Sequence, residues 1–184
     1  METAVYGGSF NPLHIGHLSI LRHLVTLFDK VLLVVTPKNP LKDIDGSSGR
    51  QRYEAAVEAV GRHPELGGKV EVCDIEFRLP QPNYSYKTLD ALKAMHPEDN
   101  FTLVTGGDQI ADFRRWKEYA HILLDYGLIV FPREGWDIAA ERESLMAENA
   151  DYRILTVDAP LVDVSSSEIR EAYAQGRDIS HLLM

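Results

Sequence analysis

The sequence is constrained most by residues 7–17, GGSFNPLHIGH, which stand between a short apolar run and a long amphipathic segment. Residues 4–6 before them (AVY) predict the end of a first β-strand. The segment after them predicts a helix, because its apolar residues recur at steps of three and four. These residues are Ile15, Leu18, Leu21, Val25 and Phe28. A strand, a glycine turn and a helix in this order can hold a phosphate, since glycines let backbone N–H groups approach an anion and the helix N-terminus adds partial positive charge.

Two histidines stand at the predicted start of this helix. His14 and His17 are three positions apart and therefore share one face of the first turn. Their imidazoles can donate hydrogen bonds to phosphate oxygens. Gly16 costs about 1 kcal/mol relative to alanine inside a helix, and this indicates a close approach of backbone or ligand. The alternatives are a glycine turn that binds nothing and a metal pair, although helical zinc pairs usually have the HExxH spacing and a further ligand.

The same stretch closely resembles the (G/T)xFDPxHxGH signature of the nucleotidyltransferases that move an adenylyl or cytidylyl group from a nucleoside triphosphate. Asn11 stands where that family usually has aspartate. The letters HIGH also spell the signature of the class I aminoacyl-tRNA synthetases, a distant relative. The resemblance implies that His14 and His17 act in catalysis and bind ATP. It implies the same binding role for the residues of the glycine turn, which are Gly7, Gly8, Ser9 and Phe10.

Length and composition exclude several classes of protein. The 184 residues are enough for one domain with a sizeable core, and 45% hydrophobic residues exclude intrinsic disorder. No apolar run reaches the roughly 18 residues of a membrane helix, and the chain starts without a basic leader and apolar signal region. The net charge of −9 argues against a general nucleic-acid binder but allows a small anionic substrate. Cys73, the lone cysteine, indicates a small core residue in a reducing cytoplasm.

The order of predicted elements indicates an α/β fold. Residues 31–35 (VLLVV) form a continuous apolar run, which is typical of a strand buried on both faces of a parallel sheet. Further strands are predicted over residues 70–77, 101–105, 126–131 and 153–157, and helices over residues 50–60, 85–95 and 139–149. Because repeats, low-complexity tracts and long linkers are absent from the sequence, residues 1–184 are expected to form a single domain. The resemblance implies a Rossmann-like, doubly wound parallel sheet with helices on both faces.

The loop after residues 31–35 carries two lysines, Lys38 and Lys42, among prolines. It falls at the carboxyl end of a strand, where open α/β sheets bind ligands. The alternative is that both lysines are simply solvated. The resemblance implies a basic residue here that contacts the phosphates, and Lys42 matches its position better than Lys38. Lys42 is therefore expected to act in catalysis, and Asn39 and Lys42 are expected to contact the acceptor substrate.

A second match lies at residues 83–89 (NYSYKTL), which resemble the SYTxxTL motif of one branch of the family, the nicotinate-nucleotide adenylyltransferases. The resemblance implies that Tyr84 and Ser85 bind the acceptor, nicotinate mononucleotide. The alternative is a helix N-cap by Asn83 or Ser85. The two functions are compatible, since free N–H groups at a helix start suit a carboxylate or phosphate.

A glycine pair and an aspartate follow the strand at residues 101–105. Asp108 can read ribose hydroxyls or cap the next helix. Together with Trp116 it matches the GxD…Trp pattern of the same branch, in which the indole stacks on the pyridine ring. The resemblance implies that Gly106 and Asp108 bind ATP and that Trp116 binds the acceptor. The alternative for Trp116 is a core aromatic, although its charged neighbours favour a place near the surface.

A further match follows the strand at residues 126–131. Residues 132–135 (PREG) are similar to the RxPG turn of the family. Because Glu134 stands where proline is usual, no role is assigned to Arg133.

The last match is residues 164–170 (VSSSEIR), which resemble the ISSTxIR motif of the family. In the family this motif sits at a helix N-terminus and holds the β- and γ-phosphates. Ser165 and Glu168 also form an S-x-x-E capping box, which explains these two residues without a ligand. The resemblance implies that Ser165, Ser166 and Arg170 bind ATP and that Arg170 acts in catalysis, since arginine recognises phosphate oxygens in a planar, bidentate way.

These matches cover residues 3–176 and imply transfer of the adenylyl group of ATP to nicotinate mononucleotide, giving nicotinate adenine dinucleotide and pyrophosphate in NAD biosynthesis. Mg²⁺ is implied by the triphosphate and is expected to be held by water and phosphate oxygens rather than by a side-chain cage. Pantetheine-phosphate adenylyltransferase and nicotinamide-mononucleotide adenylyltransferase are alternatives within the superfamily. A tRNA-binding synthetase fragment and a non-catalytic nucleotide sensor are alternatives from other classes. The oligomeric state is left open.

Overall fold

A parallel β-sheet forms the centre of the molecule. In the computed structural model the described residues are 1–37, 48–160, 162 and 164–184, and they contain six strands, all paired in parallel. The inner strands β2 and β5 are almost wholly buried, which accounts for their continuous apolar sequences. The strands are β1 (Glu2–Gly8), β2 (Lys30–Val35), β3 (Val70–Cys73), β4 (Asn100–Gly106), β5 (Leu128–Phe131) and β6 (Ile154–Thr156).

Helices connect the strands. A π-helical segment, Ile122–Tyr126, directly follows the short helix α5. Among the described residues no helix combines the length and the hydropathy that a membrane span requires. The α-helices of the described part are α1 (Ile15–Leu27), α2 (Gly49–Gly61), α3 (Ser85–Met95), α4 (Gly107–Ile110), α5 (Tyr119–His121), α6 (Ile138–Glu148) and α7 (Ser166–Ala174).

The strand order is β3-β2-β1-β4-β5-β6, which is the order of a doubly wound Rossmann fold. The predicted fold class is therefore confirmed. The chain moves outward in one direction from β1 to β3 and in the other from β4 to β6, so that β1 and β4 meet at a topological switch point. A crevice outside the carboxyl ends of the strands opens at such a point, and this is where open α/β sheets bind ligands.

Two apolar clusters lie on the two faces of the sheet. Alternate residues of one strand divide between them, because successive side chains of a strand point to opposite faces. In β2, Leu32 and Val34 belong to the cluster that includes α3 residues, whereas Leu33 and Val35 belong to the cluster that includes α1 and α2 residues. Both faces of β2 are thus covered, and a polar residue would be unfavourable on either.

The prediction of one strand over residues 70–77 is wrong at its end. β3 is an edge strand whose pairing with β2 ends at Cys73, and a 3₁₀ turn follows at Ile75–Phe77. In this turn the Phe77 amide donates to the Asp74 carbonyl at 3.0 Å instead of to a neighbouring strand. The alternating pattern continues in sequence, but pairing with β2 does not.

Candidate active site

A cleft of about 700 Å³ opens at the switch point, over the carboxyl ends of β1 and β4. Its lining comes from the turns after β1, β4 and β5 and from the starts of α1 and α7. The fold thus brings segments from both ends of the chain into one cavity. Every residue predicted to bind ATP lines this cleft: Gly7, Gly8, Ser9, Phe10, His14, His17, Gly106, Asp108, Ser165, Ser166 and Arg170.

The glycine turn after β1 is folded tightly over itself. Phe10 has a φ of +47°, a left-handed conformation that costs a residue with a side chain about 1–3 kcal/mol. Its ring lies back over Gly8, where a Cβ atom would be 3.0 Å from the ring carbons Cε1 and Cζ. The packing of Phe10 therefore favours glycine at position 8. The same ring contacts Tyr6 and His17 edge-on, at centroid distances of 5.4 and 5.3 Å.

The two histidines close the start of α1 with a capping box of their own. His14 is the N-cap residue, and its Nδ1 atom accepts a hydrogen bond from the Gly16 amide at 3.1 Å. The Nδ1 atom of His17 accepts one from the His14 amide at 3.2 Å. Since each Nδ1 atom is an acceptor, the proton of each neutral ring lies on Nε2. The two rings can therefore offer N–H donors to a ligand in the cleft.

Both imidazoles are neutral at pH 7. Burial lowers the pKa of His14 from its ordinary 6.5 to about 4, and the charge of Arg133 adds to the effect. Burial, the neighbouring His14 and the charge of Arg133 lower the pKa of His17 to about 3. The ring centroids lie 3.8 Å apart, so protonation of one ring disfavours protonation of the other. Each ring therefore acts as an uncharged donor.

Gly16 is required by the same packing. A Cβ atom at this position would lie 2.9 Å from Cε1 and 3.0 Å from Nδ1 of His14. A close approach at Gly16 is thus present, but the group that approaches is the His14 ring, a side chain, and not backbone or ligand as predicted.

The start of α7 carries a second capping box beside the cleft. Ser165 is the N-cap residue, and its Oγ atom accepts a hydrogen bond from the Glu168 amide at 3.2 Å. The Oε2 atom of Glu168 accepts one from the Ser165 amide at 2.8 Å. The predicted S-x-x-E box is therefore confirmed. The box does not involve Ser166 and Arg170, the other two residues of this motif that are predicted to bind ATP.

Two hydrogen bonds tie α7 to the loop that precedes α1. The Nη1 atom of Arg170 donates to the Asn11 carbonyl at 2.6 Å, and the Oγ atom of Ser166 donates to the Pro12 carbonyl at 3.1 Å. The Nη2 atom of Arg170 also donates to Ser167 Oγ at 3.2 Å. These bonds hold two helix starts side by side, so that their N–H groups and side chains can act on one ligand.

Arg133 is a cleft residue to which the sequence alone assigns no role. It follows β5 and lines the cleft. Burial lowers the pKa of both imidazoles most, and the positive charge of Arg133 lowers them further. A Cβ atom at Gly107 would lie 3.3 Å from the Arg133 Cβ, so the turn after β4 leaves room for this residue. Its position at the carboxyl end of a strand is the signal that could have found it.

Of the residues predicted to bind the acceptor, the three that the structure describes, Tyr84, Ser85 and Trp116, do not line this cleft. Tyr84 and Ser85 stand at the start of α3, which faces the carboxyl edge of the sheet because connecting helices run antiparallel to parallel strands. Tyr84 is the N-cap residue and makes no capping hydrogen bond with its side chain. Asn83 instead donates to the Glu76 carbonyl at 3.0 Å. The alternative of an N-cap by Asn83 or Ser85 is therefore wrong, and among the described residues the N-cap side chain, Tyr84, leaves the first N–H groups of α3 uncapped.

Trp116 follows a 3₁₀ turn and is half-buried. Its indole packs against Phe113 at a centroid distance of 4.9 Å and against the apolar cluster that includes α3 residues. It is thus neither a fully buried core residue nor a fully exposed one. Asn39 and Lys42, which complete the predicted acceptor site, lie outside the described residues.

The model of the cytidylyltransferase-like family matches residues 5–172. The chain belongs to this family. Two relatives of the chain are named "Probable nicotinate-nucleotide adenylyltransferase". The one from Flavobacterium johnsoniae is 35% identical over 189 residues, covering 100% of this chain and 92% of the relative. The one from Bacteroides fragilis is 36% identical over 185 residues, covering 99% of this chain and 87% of the relative.

The fold of this cytidylyltransferase-like chain also matches solved structures. The nicotinic acid mononucleotide adenylyltransferase of Plasmodium falciparum, complexed with NaAD, superposes with a TM-score of 0.78 over 97% of this chain and 87% of that chain, at 22% identity. The same Plasmodium protein complexed with APC superposes with a TM-score of 0.76 at 21% identity. Similarity at this level of identity shows the fold.

The cleft of this cytidylyltransferase-like protein combines three kinds of chemistry. It offers N–H donors from His14 and His17, positive charge from Arg133 and Arg170, and a carboxylate from Asp108. Donors and cations suit phosphate groups, and a carboxylate accepts hydrogen bonds from hydroxyls. The arrangement can therefore bind a nucleoside triphosphate through its phosphates and its sugar.

Proposed function

We propose that this chain transfers the adenylyl group of ATP to nicotinate mononucleotide, giving nicotinate adenine dinucleotide and pyrophosphate in NAD biosynthesis. The observation that carries the proposal is the pair of neutral histidines at the start of α1, in one cleft with the helix start that bears Arg170. The names of the relatives support the choice of acceptor. The partners of the chain are then ATP and nicotinate mononucleotide.

The reaction needs little acid–base chemistry from the protein. The attacking phosphate of the mononucleotide is already ionised, so it needs alignment with the α-phosphorus of ATP and relief of charge repulsion. Negative charge grows on the bridging oxygen as pyrophosphate leaves. His14 and His17 donate their Nε2–H groups to the phosphate oxygens on which this charge develops. Because both rings resist protonation, each keeps Nδ1 as the acceptor of a helix amide and Nε2–H as a donor throughout the neutral pH range.

The triphosphate is bound by groups from several walls of the cleft. Backbone N–H groups of the glycine turn lie at the β1 end, and Arg170 supplies positive charge for the β- and γ-phosphates. Arg133 supplies a second positive charge. Lys42 stays a predicted further cation. Asp108, held at the end of β4, accepts hydrogen bonds from the ribose hydroxyls.

Mg²⁺ enters as part of the ATP substrate. This ion prefers oxygen ligands and keeps several waters. Within the described ranges, no group of three or more His, Cys, Asp or Glu side chains could hold a metal ion. We assign the ion to phosphate oxygens and water, which are ligands that it prefers.

The acceptor is selected at the start of α3 and at Trp116. The N–H groups at Tyr84 and Ser85 suit the nicotinate carboxylate, since the side chain of the N-cap residue Tyr84 does not cap this helix start. A carboxamide would instead turn its NH₂ group toward a donor and leave a polar group unpaired. The exposed part of the Trp116 indole stacks on the pyridine ring, which contributes about 0.5–1.5 kcal/mol beyond the area buried.

The test is to incubate the protein with ATP, Mg²⁺ and one acceptor at a time, and to measure pyrophosphate. The acceptors are nicotinate mononucleotide, nicotinamide mononucleotide and 4′-phosphopantetheine. We expect a kcat/KM for nicotinate mononucleotide at least ~100-fold above that for nicotinamide mononucleotide, because a site with fixed donors rejects the mismatched group. Comparable rates with the two pyridine nucleotides would refute the carboxylate contact, and turnover of 4′-phosphopantetheine alone would assign the chain to that rival activity.

A matched pair of tryptophan variants locates the acceptor. Trp116→Ala should raise the KM for nicotinate mononucleotide and spare the KM for ATP. Trp136→Ala, which changes the other tryptophan of the chain, is the control, because Trp136 is 47% exposed and does not line the cleft. If Trp116→Ala leaves the acceptor KM unchanged, Trp116 does not bind the acceptor and only packs against its neighbours.

A further inference from the structure

Arg52 is an arginine that the proposed mechanism does not use, and its side chain is buried to 5% exposure. It lies on α2, away from the motifs that line the cleft. Its guanidinium donates three hydrogen bonds, all to backbone carbonyls. The Nη1 atom donates to Ser9 at 2.6 Å and to Thr36 at 2.8 Å, and the Nη2 atom donates to Pro37 at 3.0 Å. One side chain thus joins the glycine turn after β1 to the chain that leaves β2.

The start of α2 is built to place this side chain. Ser48 and Gln51 form a capping box, with bonds of 3.1 and 2.9 Å, that fixes where the helix begins. Gly49, the first residue of α2, packs so closely that a Cβ atom there would lie 2.8 Å from the Pro37 carbonyl oxygen. Helical side chains tilt toward the N-terminus of their helix, so Arg52 points back to these carbonyls.

The bond to Ser9 determines the orientation of a peptide in the cleft. In a trans peptide the C=O and the N–H groups point in opposite directions. The Ser9 carbonyl points to Arg52, so the Phe10 amide points away from it. Phe10 lines the cleft and has the left-handed φ of +47°. Such a conformation persists only when surrounding contacts hold it.

We propose that Arg52 is a positioning residue for the phosphates of ATP: through the Ser9 carbonyl it holds the Ser9–Phe10 peptide in the orientation that presents its amide to the ligand. Arg52 itself stays beneath the turn and does not touch the substrate. This inference rests on the proposed function only for the identity of the nucleotide, since any ligand with a polyphosphate group would use the same amide. The bond to Pro37 also holds the exit of β2 in a fixed place relative to the glycine turn.

The experiment compares Arg52→Lys with Arg62→Lys, a matched control at the other end of α2. Arg62 is exposed and forms an ion pair with Glu58. Lysine keeps the charge but lacks the planar fork, so it cannot reach all three carbonyls in the same way. For each protein the melting temperature, the affinity for inorganic tripolyphosphate and the affinity for adenosine are measured.

We expect Arg52→Lys to stay folded and to bind tripolyphosphate about 10–100-fold more weakly, the size of effect that a small misplacement of a binding group has. Its affinity for adenosine should stay within about twofold, because the purine and ribose contacts do not involve this peptide. In turnover, the KM for ATP should rise while the KM for the acceptor is spared. Arg62→Lys should match the wild type in every measurement.

Three outcomes would overturn the inference: wild-type tripolyphosphate binding in Arg52→Lys, equal losses for tripolyphosphate and adenosine, or the same losses in Arg62→Lys. If Arg52→Lys does not fold, Arg52→Ala is titrated with tripolyphosphate in the presence and absence of methylguanidinium. Recovery of phosphate binding supports the inference, and recovery of the melting temperature without recovery of phosphate binding contradicts it. A wild-type protein that binds tripolyphosphate but forms no dinucleotide would refute the proposed function and leave the role of Arg52 intact.

Discussion

The starts of α1 and α7 lie side by side at the cleft, and both are capped by side chains, but by different residues. Each helix start leaves N–H groups that need acceptors, and each satisfies them with a reciprocal box four residues long. At α7 the box is Ser165 with Glu168, and at α1 it is His14 with His17. The α7 box is exposed and carries a negative charge, whereas the α1 box is largely buried and uncharged.

The two boxes differ in whether they leave a hydrogen-bond donor that a ligand can use. In the Ser165–Glu168 box the serine hydroxyl and one carboxylate oxygen bond to the start of the helix, and the neighbouring Arg170 is the cleft residue proposed to bind the ligand. In the His14–His17 box each imidazole satisfies the helix with Nδ1 and keeps Nε2–H for a ligand. A ring with two nitrogens can therefore cap a helix and bind a phosphate at once, which a hydroxyl and a carboxylate in a closed pair cannot.

The largest expected effect comes from removing the proposed α1 donor. His17→Ala should lower kcat by roughly 10²–10³, the range for losing one preorganised donor. Because His17 also completes the cap, this variant should lose about 1 kcal/mol of stability. His17→Gln restores the capping acceptor without the imidazole donor, so it should recover the stability and not the kcat. His23→Ala, on the same helix but outside the cleft lining, is the control. Near-normal turnover in His17→Ala would remove this residue from the mechanism.

Removing the cation beside α7 should act on binding. Arg170→Ala should weaken ATP binding by about 10–100-fold, the range of a lost charge-assisted contact, and should leave the affinity for AMP almost unchanged. Arg177→Ala changes an exposed arginine that follows the same helix and should leave both affinities as they are. Nucleotide titrations by calorimetry measure this. Equal losses for ATP and AMP would mean that Arg170 acts mainly through its bond to Asn11.

The contributions of the two boxes to the stability of the protein should be lost at different pH values. The pKa values of His14 and His17 fall from 6.5 to about 4 and about 3 on folding. The unfolded chain therefore binds more protons below pH 6.5, and stability falls as the pH is lowered from about 6.5 toward 4. Bonds from Ser165 lower the pKa of Glu168 below its ordinary 4.5, so the α7 box is lost only on further acidification.

Urea unfolding across this pH range tests the contrast. His17→Gln should flatten the dependence between pH 6.5 and 4 by up to about 1.4 kcal/mol per pH unit. Glu168→Gln should leave that window unchanged and alter only the more acidic part. If His17→Gln keeps the wild-type slope, His17 is not buried in its neutral form.

The smallest effect is expected from the α7 cap. Ser165→Ala removes an N-cap oxygen and should cost about 1 kcal/mol of stability. Ser166→Ala, one position further on, removes only the bond to the Pro12 carbonyl and serves as the comparison. Thermal unfolding measures both. A loss of kcat in Ser165→Ala beyond what the loss of stability explains would show that this serine contacts the ligand as well as the helix.

The sequence predicted best what depends on neighbours a few residues away. The predicted helix over residues 85–95 agrees with α3, and the box at Ser165 and Glu168 is where its motif placed it. The strand over residues 70–77 was wrong at its end, because a strand continues only where a partner strand continues. The sequence assigned no role to Arg133 for a related reason. Its contribution is the effect of its charge on the pKa values of two imidazoles, which lie on another element.

By itself the sequence determined the glycine turn, the helix starts and the buried strands, because backbone preferences, caps and apolar periodicity are set within one or two turns of chain. The tertiary structure decided the chemical state of the groups placed there. His14 and His17 are neutral because other segments bury them, and Arg170 meets the Asn11 carbonyl because α7 folds back onto the first loop. Arg52 shows the same dependence, since its three carbonyl partners come from the segments that follow β1 and β2 and not from its own helix. Burial and long-range hydrogen bonds are properties of the assembled fold, and they set the chemical state and the position of the groups that line the cleft.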